Sequence, residues 1–166
     1  RFNDPQSRNV LIGENIFNEN ELNCRIEVEL EKFTKKVQIE SRILGDLAIN
    51  HIVPTAVFYQ NRLLENLRGL RETFSPEEYE MLGADRRELV KEIQLHTLEI
   101  KRLVHEMTEA RHIANRLDSQ IKKAYSYEEC VSPYMEKIRE HIDHLELEID
   151  DEIWPLPKYR ELLFTK

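Results

Sequence analysis

Glycine and cysteine are scarce in this sequence: its 166 residues hold four glycines and two cysteines. The glycines, at positions 13, 45, 69 and 83, are too scattered to cradle a phosphate, and no GxxxxGK, GxGxxG or nucleophile-elbow motif occurs. With six prolines besides, the composition speaks against many tight hairpins or collagen-like repeats. Cys24 and Cys130 lack metal-motif spacing and read as free thiols of a reducing compartment. No apolar run reaches membrane-spanning length, and no secretory h-region opens the chain. An excess of positive charge is missing too. Lys+Arg is 24 against Asp+Glu 32, a formal charge of -8, and most basic residues alternate with glutamates. Arg62, Arg68, Arg71, Arg86 and Arg87 are too dispersed to form a nucleic-acid patch. Neither nucleic acid nor membrane is an expected partner.

What is present is helical patterning on a 40% hydrophobic, 34% charged chain that can build a core. Residues 1–16 are polar and aperiodic, punctuated by Asp4-Pro5 and Gly13, and are expected to be irregular. Within them Val10-Leu11-Ile12 suits a lone edge strand or a docked loop. A capping box then starts the first long helix, with Asn18 as cap, Glu21 reaching back, and Phe17 and Leu22 as staple. Its apolar face runs Leu22, Ile26, Leu30, Phe33, Val37, and less cleanly through Ile39, Ile43, Leu44, Leu47, Ala48 and Ile52. Pro54 predicts a kink or short break before a helix over 55–72 with Val57, Leu63, Leu64, Leu67 and Leu70 inward. Ser75-Pro76 with Glu78 starts a short helix that Gly83 closes.

Asp85 is expected to cap the strongest element. Its seam is Leu89, Ile93, His96, Ile100, Leu103, Met107, Ala110, Ala114, Leu117, Ile121 and Ala124, spaced four and three apart. Ser132-Pro133 starts the last helix, with seam Met135, Ile138, Ile142, Leu145 and Ile149. The acidic run from Glu146 to Glu152 lies at the unfavourable end of the helix dipole and should fray. Pro155 and Pro157 bar regular helix beyond it. Yet Ile153, Trp154, Leu156, Tyr159, Leu162, Leu163 and Phe164 are too apolar to float free, so the tail should dock. The fold class is all-α: long antiparallel helices in an elongated bundle with coiled-coil-like seams and a Pro-broken C-terminal tail. Residues 1–16 form its N-terminal segment and 17–164 the bundle domain.

Chemistry is thin. Glu109-x-x-His112 supplies one half of a di-metal bundle motif, and no second half exists. His141 and His144 share a face but flank the seam, which suits structural or surface roles; His96, on the seam, suits a hydrogen-bonded core position. Gly45 and Gly69 suit close helix contacts. The polar stretch Glu40, Arg42, Asp46, Asn50-His51 and Gln60-Asn61-Arg62 is either an internal network fixing register or a surface that meets a larger body. No residue is assigned a catalytic, cofactor-binding or metal role.

Four stretches carry a resemblance. Val37–Ala56 (VQIESRILGDLAINHIVPTA), Tyr59–Leu70 (YQNRLLENLRGL), Glu109–Asn115 (EARHIAN) and Asp151–Phe164 (DEIWPLPKYRELLF) resemble the C-terminal region of type III glutamine synthetases. The likeness covers about Gly13 to Phe164 and is less clear over 1–12. It implies a parent enzyme, a glutamate–ammonia ligase, that joins ammonia to glutamate through an acyl phosphate made from ATP, with Mg or Mn ions holding phosphates and glutamate. It implies a cytoplasmic homo-oligomer of two stacked hexamers and a catalytic domain upstream; the chain, starting at Arg1, reads as a piece of that longer polypeptide. The family's metal, phosphate and ATP residues have no matching positions here. The resemblance therefore implies a structural and assembly role for this segment, which alone should be inactive. An autonomous helical protein–protein interaction module, a coiled-coil dimer for instance, is the alternative.

Overall fold

The computed structural model describes residues 4–158 and Glu161. The described residues form α-helices and two π turns, in the all-α bundle expected. The N-terminal segment differs from its irregular reading. Asp4 accepts from the Ser7 amide at 3.1 Å and Pro5 takes the first turn, so α1 runs Pro5–Gly13 and contains Val10-Leu11-Ile12. The Asp-Pro pair is a helix start here, because proline loses nothing where no partner for its N–H is needed. Arg8 ties α1 to the next helix through Asn23 at 2.9 Å and Glu19 at 3.8 Å.

Helix α2 (Glu19–Leu47) begins with the expected Asn18–Glu21 box. It does not stop at Pro54. A π turn, Ala48–Ile52, leads directly into α3 (Val53–Thr73). Proline leaves the carbonyl four residues back without its donor. The wider turn accommodates this by pairing the Val53 N–H with the Ala48 carbonyl, five residues earlier. The extra residue also rotates the buried stripe. Val37, Ser41, Gly45, Ala48, Ile52, Val53, Ala56 and Leu67 face the core, whereas Ile39, Ile43, Val57 and Leu64, expected inward, are exposed.

Helix α4 (Pro76–Leu82) carries the expected Ser75 box and ends at Gly83. Gly83 also stands at the head of α5 (Ala84–Asn115), so Asp85 lies in the first turn and does not cap. A side chain at Gly83 would meet the Tyr79 carbonyl at 3.0 Å and Leu67 at 3.2 Å. The long seam is also interrupted: α5 ends at Asn115 and α6 (Gln120–Ser126) starts afresh. The three–four spacing survives a turn whose length keeps the phase, so periodicity alone cannot reveal the break. Leu117 falls in the turn, Ile121 is exposed, and Ala114 and Ala124 are buried on either side. A second π turn, Tyr127–Val131, joins α6 to α7 (Ser132–Glu148), so this helix too is continuous ahead of its proline.

Three rods result: α2–α3, α5, and α6–α7. α7 packs most extensively on α5, α3 lies on α5, and α2 reaches α6. The core joins Val37, Ile52, Ile93, Ile100, Met107, Tyr127, Ile138 and Leu145 among others. Gly45 sits against Val104 (3.4 Å) and Met107 (3.5 Å) of α5, a close contact as expected. Gly69 has open space around its missing side chain, so no close approach explains it.

Beyond α7 the chain folds back. Trp154 is 8% exposed, and Ile153 and Leu156 pack against the core, so this part of the tail docks. Tyr159, Leu162, Leu163 and Phe164 lie outside the described residues. Lys158 crosses the Trp154 ring at 5.7 Å, pairs with Asp151 at 2.6 Å, and donates to the carbonyls of Glu146 and Ile149. The acidic helix end expected to fray is thus closed by a cation at the negative pole of its dipole.

Candidate functional site

Two regions gather polar chemistry. The first follows from the antiparallel hairpin of α5 and α7. Turning at residues 116–119, it brings residue 96 opposite residue 141. His96 and His141 meet Nδ1 to Nδ1 at 2.8 Å, their ring planes 61° apart. His144, one turn on from His141, stacks on His96 with centroids 5.1 Å apart and planes 18° apart. His96 is half-buried beside the seam, and the fully packed seam position goes to its neighbour Thr97. Its hydrogen-bonded role is as expected, but the partner is another imidazole. Nothing in the sequence pairs the two directly. The signal was the hairpin register, which had been hidden by reading the seam straight through residue 117.

Burial holds the His96 pKa below its ordinary value, the neighbouring His141 and His144 add to this, and Glu92 opposes it. Glu148 is displaced upward, first by burial, then by the Glu92 charge and a proton shared with Glu92, against the pull of His144. In the ionised state its Oε2 is buried without a hydrogen-bond partner. Glu99 is held low by the hydrogen bond from Arg102, which also grips Glu106 at 2.6 Å. Each Nδ1 of the histidine pair is the other's partner, so the two lone pairs do not converge on a third point. Among the described residues no group of three His, Cys, Asp or Glu side chains is placed to hold a metal ion. Glu109 and His112 are both exposed on α5.

The second region is the polar stretch of α2 and α3. Glu40, Arg42, Asp46, Asn50, His51, Asn61 and Arg62 are all exposed, so they are not an internal network. Their contacts are local: Asn50 donates to Asp46 at 2.6 Å, and Arg62 approaches Asp150 at 3.7 Å. Gln60 alone turns inward and donates to the Val90 carbonyl at 2.9 Å. Beside this stretch Ile39 (57% exposed) and Ile43 (53% exposed) form an apolar ridge, continued by a groove of Leu44, Leu47 and Met135. Glu40, Glu136 and Arg139 rim the groove.

Cys24 and Cys130 are unpaired and exposed. Among the described residues no helix is long and apolar enough to cross a membrane.

Known proteins place this architecture. Residues 1–71 match the family model described as the glutamine synthetase C-terminal domain, so the match includes the first twelve residues. The chain is 70% identical, over 99% of its length, to a glutamine synthetase of Bacteroides fragilis (strain YCH46), covering 23% of that protein. It is 25% identical over 99% of its length to a type-3 glutamine synthetase of Dictyostelium discoideum, covering 22% of it. A glutamine synthetase of Butyrivibrio fibrisolvens aligns over 90% of the chain at 22% identity, covering 21% of that protein. The chain thus spans less than a quarter of the length of the curated relatives it matches. With its all-helical bundle, it is a C-terminal domain of the glutamine synthetase type.

Proposed function

We propose that this domain is a structural and assembly element of a cytoplasmic glutamine synthetase and takes no part in the chemical step. In this reading a catalytic domain elsewhere in the polypeptide uses ATP and Mg or Mn to activate glutamate for attack by ammonia. The bundle, running over residues 17–164 with α1 as a brace, packs against that domain and against neighbouring subunits of a homo-oligomer of two stacked hexamers.

The observation that carries the reading is the ridge Ile39–Ile43 with its groove. Two large β-branched side chains one turn apart, both more than half exposed, forgo a gain of roughly 1.5–3 kcal/mol each that burial provides. A rim of mixed charge around an apolar centre is the usual anatomy of a protein contact. Replacing both isoleucines by glutamate in the full-length enzyme tests it. The expected result is a smaller particle by light scattering, while the urea midpoint of the domain alone stays unchanged. A full-size assembly from the doubly substituted enzyme contradicts this use of the ridge. ATP- and ammonia-dependent glutamine release by the 166-residue chain itself contradicts the non-catalytic role.

A further inference from the structure

We propose that His96, His141 and His144 form a pH-sensitive clasp between α5 and α7, closed at neutral pH and opened by acid. The geometry limits the number of protons it can hold. Two Nδ1 atoms 2.8 Å apart need one N–H donor and one bare acceptor. The pair accommodates two neutral rings of opposite tautomer, or one imidazolium and one neutral ring. With both rings protonated, two N–H groups and two positive charges face each other, and the contact breaks. His144, stacked on His96, adds a third cation to the same spot when it is protonated.

The surrounding charges do not relieve this. On α5, Glu92 attracts a proton to His96, but it is also the neighbour of Glu148; Glu99, which senses His141, is committed to Arg102. On α7 the facing groups are His141, His144 and Glu148. From α3 the side chain reaching this part of α5 is the uncharged Gln60, while Arg62 turns to Asp150.

The direction of the pH effect follows. A histidine depressed in the folded state is protonated first in the unfolded chain, whose ordinary value is 6.5. Stability from the clasp is therefore complete above that value and is lost as pH falls through it toward the folded value. Glu148 acts oppositely. It is raised in the folded state, so acid relieves its buried charge and partly masks the loss. Because the α7 end carries the Trp154–Lys158 clamp, opening the clasp loosens the tail as well.

Urea midpoints of the chain at pH 7.5 and 5.5 test the proposal with His141→Asn, which keeps an acceptor near the Nδ1 position and cannot be charged. The wild-type midpoint should fall on acidification, the folding equilibrium weakening about tenfold for each unit by which His96 is depressed. His141→Asn should flatten that fall, and Glu148→Gln should steepen it. A His141→Asn chain with the full wild-type pH dependence overturns the clasp. If that variant does not fold, nitrogen-15 titration of the wild-type imidazoles decides. Separate protonation steps for His96 and His141, with α7 resonances shifting at the second, support it; both rings protonating together near 6.5 with α7 unchanged overturns it.

Discussion

Pro54 and Pro133 hold equivalent places: each is the second residue after a five-residue π turn, Ala48–Ile52 in one rod and Tyr127–Val131 in the other. The Val53 N–H reaches the Ala48 carbonyl and the Ser132 N–H reaches the Tyr127 carbonyl, each spanning five residues. Each turn lets a helix pass a proline while setting the phase of the stripe beyond it. Deleting Asn50, an exposed residue of the first turn, together with Pro54→Ala should leave a regular helix whose second half is rotated by about 100°. Val53, Ala56 and Leu67 would leave the core. The double change is expected to abolish cooperative urea unfolding, whereas Pro54→Ala alone should retain it.

Tyr127 is fully buried, and its hydroxyl donates to Asn115 Oδ1 at 2.9 Å, where Gln38 of α2 also donates at 3.3 Å. Asn115→Ala strands a buried hydroxyl and should cost about 1–3 kcal/mol, whereas Tyr127→Phe removes the donor itself and should cost about 0.5–1.5 kcal/mol. Chemical denaturation of the two variants checks the order.

Gly69 lies within α3 with open space where a side chain would be, so Gly69→Ala should stabilise by about 0.5–1 kcal/mol through helix propensity alone. Gly45→Ala meets Val104 and Met107 at ordinary contact distance and should also be tolerated, while Gly45→Leu should overpack and cost about 1–3 kcal/mol. Thermal melts distinguish the three.

Lys158 closes the last turn of α7, and Trp154 fills the hollow beneath it. Lys158→Met keeps the stem over the ring but removes the donors, and should speed amide exchange at the α7 end without changing the core. Trp154→Ala should cost about 3–5 kcal/mol in urea.

Much of the fold was legible because its signals are local. Asn18 with Glu21 and Ser75 with Glu78 cap as their spacing predicts, and the Ile93–Met107 seam is buried. What escaped was phase. The extra residue of a π turn leaves no mark in composition, so Val57 and Leu64 were placed inward when Ala56 and Leu67 are buried. The turn at 116–119 preserves the seam's spacing and conceals the hairpin register, and with it the meeting of His96 with His141. Asp4-Pro5 reads equally as a loop or as a helix start, and only the Ser7 amide decides it.

The most direct measurement of the docking role is hydroxyl-radical footprinting of Met135 and the Ile39–Leu47 face, in the isolated chain and in the full-length enzyme. The account predicts strong labelling of this patch in the isolated chain and protection in the assembled enzyme, with exposed Leu147, on the last turn of α7, as an internal reference in the isolated chain. Equal labelling of Ile39, Ile43 and Met135 in both forms would contradict it.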